Sequence, residues 1–290
     1  MRMNDYIKLV NEKLNEYIEI KYPENIFKSM KYTVTLPGKR LRPVMCLETC
    51  IMFGGEIEDA LPTACAIEML HAQTLIHDDL PCMDNDDFRR GKPSNHRVFG
   101  EAVAVLAGDA LLTYAPQTIT KYSKNLSPST LVRVLNEYFK FAGAEGVIAG
   151  QVVDIESEGA TDKSREILDY LHIHKTSDLF QLAMRTGAII AGADDDKITA
   201  VTEFAKTFGL AFQIADDILD EISTFEQMGK TLGKDKAEGK LTYVSLYGIE
   251  EAKCKLSCLF KNCHDIMEKQ DFRSEIFKDI IESIKKRVGI

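Results

Sequence analysis

Two aspartate clusters offer the densest chemistry in this chain. The first runs Asp78-Asp79-Leu80-Pro81-Cys82-Met83-Asp84-Asn85-Asp86-Asp87, with Arg89 and Arg90 just beyond it; the second is Asp216-Asp217-Ile218-Leu219-Asp220. Two unit charges about 4 Å apart interact by about 4 kcal/mol at a surface-like dielectric, so carboxylates this crowded call for a cation between them. Hard divalent ions with oxygen ligands meet that need, and Mg²⁺ typically takes one or two carboxylates and completes its shell with phosphate oxygens. Guanidinium groups beside the first cluster suit phosphate as well, because they bind it bidentately. The pattern points to a phosphorylated substrate held through metal.

Asp216 and Asp220 are four apart, which puts both on one helix face with Asp217 beside them. Phe212, Ile214, Ile218 and Leu219 surround that face, and a carboxylate in an apolar setting needs solvent, a lysine or a metal. A lone DDxxD is most often a solvated helix face; two clusters in one helical chain argue against that. Asp78 and Asp84 are six apart, which is not one face of an ideal helix. Pro81 lies between them, and a kinked or bulged helix end there could bring Asp78, Asp79 and Asp84 round a common cation.

Other basic and polar groups extend the pattern. Gly38-Lys39-Arg40-Leu41-Arg42-Pro43 reads as a charged turn before a helix, or as an anchor for a second anion that needs no metal. His71, seven residues before Asp78, lies on the same side of its helix, as a core histidine or as a donor to that anion. Gly229-Lys230-Thr231-Leu232-Gly233-Lys234, running on to Gly239-Lys240, is not a P-loop, because Thr224 stands where that motif needs glycine. A lysine loop able to close over a bound anion, or simply solvated lysines, are the remaining readings.

These groups need elements to hold them, and the rest of the sequence says helices. Every proline lies at or before Pro128. Helix interiors reject proline at about 3 kcal/mol, whereas β-rich chains use it in turns. Apolar residues recur at steps of three and four over 131–148 (Leu131, Val134, Leu135, Tyr138, Phe139, Ala142) and over 198–219. No segment alternates as a strand would. Loops are expected at 53–56, 89–95, 124–129 and 229–240. Small residues gather at 102–110 and 142–150, which suits helices that approach closely in a bundle. The expected fold is all-α: a single helical domain over 1–290 around a central substrate cavity.

Composition narrows the partners. A net charge of −9 and a pI near 5.3 argue against nucleic acid or an anionic membrane. Seven cysteines without a regular framework read as reduced thiols, and Cys254, Cys258 and Cys263 lack the paired spacing of a zinc site. No signal peptide opens the chain and no apolar run reaches the roughly 18 residues of a membrane span, so a cytoplasmic protein is expected.

Taken together, these motifs resemble the trans-polyprenyl diphosphate synthases, the prenyltransferases that include farnesyl and geranylgeranyl diphosphate synthases. The resemblance runs in family order through 38–43, 70–95, 106–112, 174–176, 209–220 and the lysine loop. Pro37 stands where the family usually has a second glycine, a departure expected to alter only the local backbone. The resemblance implies that an allylic diphosphate loses pyrophosphate, that its carbocation alkylates isopentenyl diphosphate, and that a proton then leaves to the pyrophosphate. It also implies three Mg²⁺ ions, a role Mn²⁺ would also fit, held by Asp78, Asp84 and Asp216 with Asp79, Asp217 and Asp220 in support. By the same likeness Arg89, Lys175 and Lys230 clamp the departing group, and Thr176 and Gln213 offer oxygen dipoles to the cation. Lys39, Arg42, His71, Arg90 and Lys240 are expected on substrate diphosphate.

Product length is expected to depend on Gln73 and Thr74, because Gln73 stands where many farnesyl synthases carry a pocket-closing aromatic. A fifteen-carbon product is the first reading and a twenty-carbon product the alternative. A class I terpene cyclase, a non-catalytic regulatory subunit and a head-to-head condensing enzyme fit the motifs less well. A homodimer packed through the small-residue helices is the implied assembly.

Overall fold

The computed structural model describes residues 1–157, 164–222 and 241–290. Its elements are α1 (Met3–Tyr17), α2 (Glu24–Thr35), α3 (Leu41–Met52), α4 (Ile57–Asp78), β1 (Phe88–Arg89), β2 (Lys92–Pro93), α5 (Asn95–Phe99), α6 (Glu101–Tyr122), α7 (Pro128–Ala142) and α8 (Val147–Ser157). There follow α9 (Arg165–Leu171), a π-helical turn (His172–Ser177), α10 (Asp178–Ile190), α11 (Asp195–Ile222), α12 (Tyr243–Tyr247), α13 (Ile249–Lys269) and α14 (Glu275–Val288). The fold is all-α, as expected. The one pair of strands among the described residues, β1 antiparallel to β2, is a two-residue ribbon that the sequence did not announce.

Helix ends follow local chemistry. The Ser127 hydroxyl accepts from the Thr130 N–H at 3.1 Å, and Pro128 occupies the first helical position, where its missing donor costs nothing. Ser274 caps α14 in the same way, and Gly289 closes it with φ 73°. The apolar rhythm over 131–148 is not one helix. Gly143 and Gly146 interrupt it between α7 and α8, since glycine pays the largest backbone entropy in a helix.

Proline also enters two helices, Pro62 in α4 and Pro116 in α6, against the simple rule used on the sequence. At Pro116 the cost is offset locally. The missing N–H would leave the Leu112 carbonyl without its helical donor, and the Tyr138 hydroxyl donates to that oxygen at 3.0 Å.

α10 is buried along nearly its whole length and packs against α3, α4, α7 and α11. α4 packs in turn on α3 and α6. α6 has a window of mean hydropathy 1.2 and is long and apolar enough by composition to cross a membrane, a property the sequence reading missed. Here it lies against α4 and α2, with Ala104, Ala107 and Gly108 buried and Val105 and Leu106 exposed.

The π turn is held from two sides by glycines. A Cβ on Gly150 of α8 would run into the Lys175 and His174 backbone, and one on Gly209 of α11 would meet Ser177. Backbone therefore lies directly on backbone where Lys175 and Thr176 are set. Gly150→Ala should destabilise the protein by about 1–3 kcal/mol through overpacking, read as a lowered Tm. An unchanged Tm would show that this contact is slack.

Candidate active site

One cavity of about 640 Å³ opens among α3, α4, α6, α8, the π turn, α10 and α11. Its walls are largely apolar: Leu75, Met83, Leu112, Val147, Ile148, Val152, Ile155, Leu179 and Phe212. Asp78, Asp216, Lys175, Thr176, Gln213, Gln73, Thr74, His71 and Arg42 also line it. Residues from both aspartate clusters thus face a single space.

The first cluster is arranged differently from the kink expected at Pro81. α4 ends at Asp78, and Pro81 lies beyond it in a turn that folds back on the helix end. The Asp84 N–H donates to the Asp78 carbonyl at 2.9 Å, and Asn85, at φ 51°, donates to the Leu80 carbonyl at 3.0 Å. Asp84 is thereby brought beside Asp78. Asp79 is not: it is buried outside the cavity lining, with its carboxylate on Arg89. Arg89 also reaches Asp86 at 3.3 Å. The picture of Asp78, Asp79 and Asp84 ringing one cation is corrected: Asp78 lines the cavity with Asp84 beside it, while Asp79 and Arg89 brace the turn. Burial pushes the Asp78 carboxyl up to about 6, with Asp84 adding repulsion and Lys175 opposing.

The second cluster divides the same way. Asp216 faces the cavity, whereas Asp217 is buried beneath it. Asp217 accepts from the Tyr243 N–H at 2.8 Å and from Gln213 Nε2 at 2.9 Å. His172 Nε2 lies 3.6 Å away. Asp217 therefore anchors α12 and orients Gln213, whose carbonyl oxygen accepts from Thr176 at 2.6 Å. Asp220 lies partly buried one turn further on, outside the cavity lining.

Lys175 is carried by the π turn, a helical defect that re-aims side chains and recurs at functional sites. It pairs with Asp154 of α8, and the field of Asp154, Asp78 and Asp84 raises its pKa against the opposing effect of burial. A cation surrounded by three carboxylates stays charged, which a clamp on a leaving anion requires.

A second pocket, of about 270 Å³, adjoins the first across Arg42, His71 and Phe212, which line both. Lys39, Arg40 and Arg90 complete its cationic lining. Arg42 stacks over the Phe180 ring at 4.7 Å, and burial draws its pKa down to about 10. Its NH1 donates to His71 Nε2 at 3.4 Å. Burial first, and then Arg42, Arg90, Arg40 and Arg89, hold His71 well below the usual histidine range, so its ring is neutral.

The middle arginine of this basic segment does something else. Arg40, at φ 49°, is buried and donates to the Val34 and Leu36 carbonyls and, at 2.5 Å, to Glu68. Glu68 also lies 3.7 Å from Arg90. Gly38 leaves room for the Arg90 guanidinium, which a Cβ there would meet.

Lys230, Lys240 and the 229–240 loop lie outside the described residues. Sequence reasoning missed Asp154, Glu68, Phe180 and Gln151, whose buried Nε2 has no hydrogen-bond partner. Asp154 and Gln151 are three apart on one helix, a spacing that could have flagged them. Cys263 is buried while Cys254 and Cys258 are exposed, so the three share no ligating face.

Among the described residues no three His, Cys, Asp or Glu side chains form a ready cage for a metal. The donors nonetheless suit Mg²⁺, which keeps waters and phosphate oxygens and asks few carboxylates of the protein. Asp78 and Asp216 line the cavity, and Asp84 lies beside Asp78.

An all-α protein with paired acidic motifs over an apolar cavity and an adjoining cationic pocket is of the isoprenoid-condensing class. A sequence profile of that class, polyprenyl synthetase, matches residues 23–284, and the chain belongs to this family. It is 49% identical over 244 residues to a chloroplastic geranylgeranyl pyrophosphate synthase of Catharanthus roseus, covering 84% of this chain and 68% of that protein. Its structure is similar to an apo FPP/GFPP synthase of Zymomonas mobilis, with TM-score 0.85, 32% identity and coverage of 97% and 95%. A Helicobacter pylori geranyltransferase complexed with magnesium and isoprenyl diphosphate aligns with TM-score 0.85, 28% identity and coverage of 98% and 96%. The protein is a prenyltransferase.

Asp154→Asn should loosen Lys175 and lower prenyl-transfer turnover by about 100-fold, the usual cost of misplacing a catalytic group by an ångström. Turnover at the wild-type level would show that Lys175 is positioned without this carboxylate.

Proposed function

We propose that this protein condenses allylic diphosphates head-to-tail with isopentenyl diphosphate to give geranylgeranyl diphosphate, under Mg²⁺. The observation that carries the reading is convergence: Asp78, Asp216, Lys175, Thr176 and Gln213 face one apolar cavity that shares a wall with a cationic pocket. The twenty-carbon product takes precedence over the fifteen-carbon one set first on the sequence. The name of the Catharanthus roseus relative supports it, and so does Gln73 in the cavity wall, where no aromatic ring blocks growth.

Asp78, Asp84 and Asp216 would hold the metal, with Asp79, Asp217 and Asp220 supporting them. Bound Mg²⁺ would supply electrostatic stabilisation to the departing pyrophosphate. Lys175 would add a fixed positive charge to the same group, and Arg89, through Asp79, braces the turn that carries Asp84. The Thr176 hydroxyl and the Gln213 amide present preorganised dipoles to the allylic cation. Apolar walls exclude the water that would quench that cation. Lys39, Arg42, Arg90 and neutral His71 bind the diphosphate that does not leave. Lys230 and Lys240 would add cations from the loop beyond the described residues.

Two features support a homodimer in a reducing compartment. Val105 and Leu106 of α6 are exposed apolar side chains on a small-residue helix, and all seven cysteines are free. Sedimentation of the purified protein tests the dimer.

Purified protein given dimethylallyl and isopentenyl diphosphates with Mg²⁺ should release mainly the twenty-carbon diphosphate, and chelation should abolish turnover. A dominant fifteen-carbon product would restore the farnesyl reading, and turnover that survives chelation would defeat the metal mechanism. Asp78→Ala and Asp216→Ala should each cost at least about 100- to 1000-fold in kcat, because they act on charge that develops during ionisation. Near-normal rates would remove that residue from the clamp.

Lys39→Ala and Arg42→Ala should instead raise the KM for isopentenyl diphosphate, since their contacts are alike in the ground and transition states. A selective rise in the allylic KM would mean that the two sites are exchanged.

A further inference from the structure

Gln73 and His77 sit one turn apart on α4, and both line the large cavity. Gln73 Nε2 lies 3.1 Å from His77 Nδ1, and His77 Nε2 lies 3.1 Å from the Val105 carbonyl oxygen on α6. A carbonyl oxygen can only accept, so His77 Nε2 carries the proton. The Gln73 amide nitrogen can only donate, so the contact at Nδ1 makes that nitrogen the acceptor, and the two contacts together specify one tautomer. The Asp109 carboxylate is 4.0 Å from the same Nε2, beyond hydrogen-bond reach.

The ring fits only because residue 108 is glycine. A Cβ there would overlap three atoms of the His77 ring. Untied, Gln73 has several rotatable bonds and would sweep the cavity that it lines.

We propose that His77, seated by Val105 and Gly108, is a specificity-determining positioning residue that ties Gln73 back and so keeps the cavity deep enough for the longer product. The inference rests on the prenyltransferase reading above, and its readout is the ratio of fifteen- to twenty-carbon product rather than total turnover. His77→Phe keeps a ring of similar size without either nitrogen. It should shift the ratio about tenfold toward the shorter product, the scale of one hydrogen bond. In a Gln73→Leu background, which has no amide to tie, the same change should move the ratio by less than about twofold.

Gly108→Ala reaches the bond from the other side by displacing the ring. With and without Gln73→Leu it should repeat the pattern, and it carries the test if His77→Phe does not fold by circular dichroism. An equal shift in both backgrounds would overturn the proposal, because the ring and not the amide would then set length. No shift in either variant, with wild-type product still formed, would overturn it too. A wild-type protein that forms no prenyl diphosphate sinks the functional reading itself, and this inference with it, before any variant is made.

Discussion

Holding several carboxylates together at the mouth of an apolar cavity is the constraint on which the rest of this structure depends. Left alone, Asp78 responds as physics requires: burial and its neighbour Asp84 push its carboxyl up to about 6. The protein answers with cations on every side. Arg89 takes Asp79 and Asp86, and Lys175 stands among Asp154, Asp78 and Asp84. Each acidic motif divides its labour, with one member facing the cavity and its sequence neighbour buried as an anchor. Asp79 holds the turn that returns Asp84, and Asp217 holds α12 and Gln213. The anchors cost the site no reactive charge, because their carboxylates are already matched by protein donors.

The adjoining pocket solves the opposite problem with the opposite sign. Lys39, Arg42 and Arg90 repel one another, and two devices hold them close. Phe180 offers Arg42 a π face, and Glu68 sits between Arg40 and Arg90. His71 is kept neutral by burial and then by its arginine neighbours, so it adds a polar contact without adding charge. An acidic mouth and a cationic pocket meet at Arg42, His71 and Phe212, which line both. On the proposed reading the two diphosphates would be bound in different ways, one through metal and one directly, so that one could leave while the other stays.

Much of this was legible in the sequence because it is encoded in residue type and local spacing. Asp216 and Asp220 fall on one helix because four residues make about one turn, and Lys39 and Arg42 flank a helix start. What stayed hidden depends on contacts far apart in the chain. Asp154 has no motif of its own until Lys175 lies beside it, and Glu68 looks like one more surface acid until Arg40 is seen buried against it. The π turn was unreadable for another reason: it is packed by Gly150 and Gly209 from helices distant in sequence, where a Cβ would meet its backbone or Ser177. At Pro81 the helix end differs from the one expected, and Asp79 turns away from Asp78 and Asp84 onto Arg89. The helix stops rather than bends, and a hydrogen bond from Asp84 to Asp78 does the gathering.

α4 shows how one helix can serve several tasks without coupling them. His71, Thr74, Leu75 and Asp78 follow at steps of three, one and three, a single stripe that runs from the cationic pocket to the acidic mouth. Gln73 and His77 occupy the neighbouring stripe and reach toward α6. Steric room on that second stripe depends on Gly108 and on the Val105 carbonyl, neither of which touches the acidic groups of the first. On the proposed reading, depth and ionisation would fall to different faces of the same helix. Side chains facing α6 would then alter the space left for a growing chain while Asp78 stays fixed by the turn that follows it.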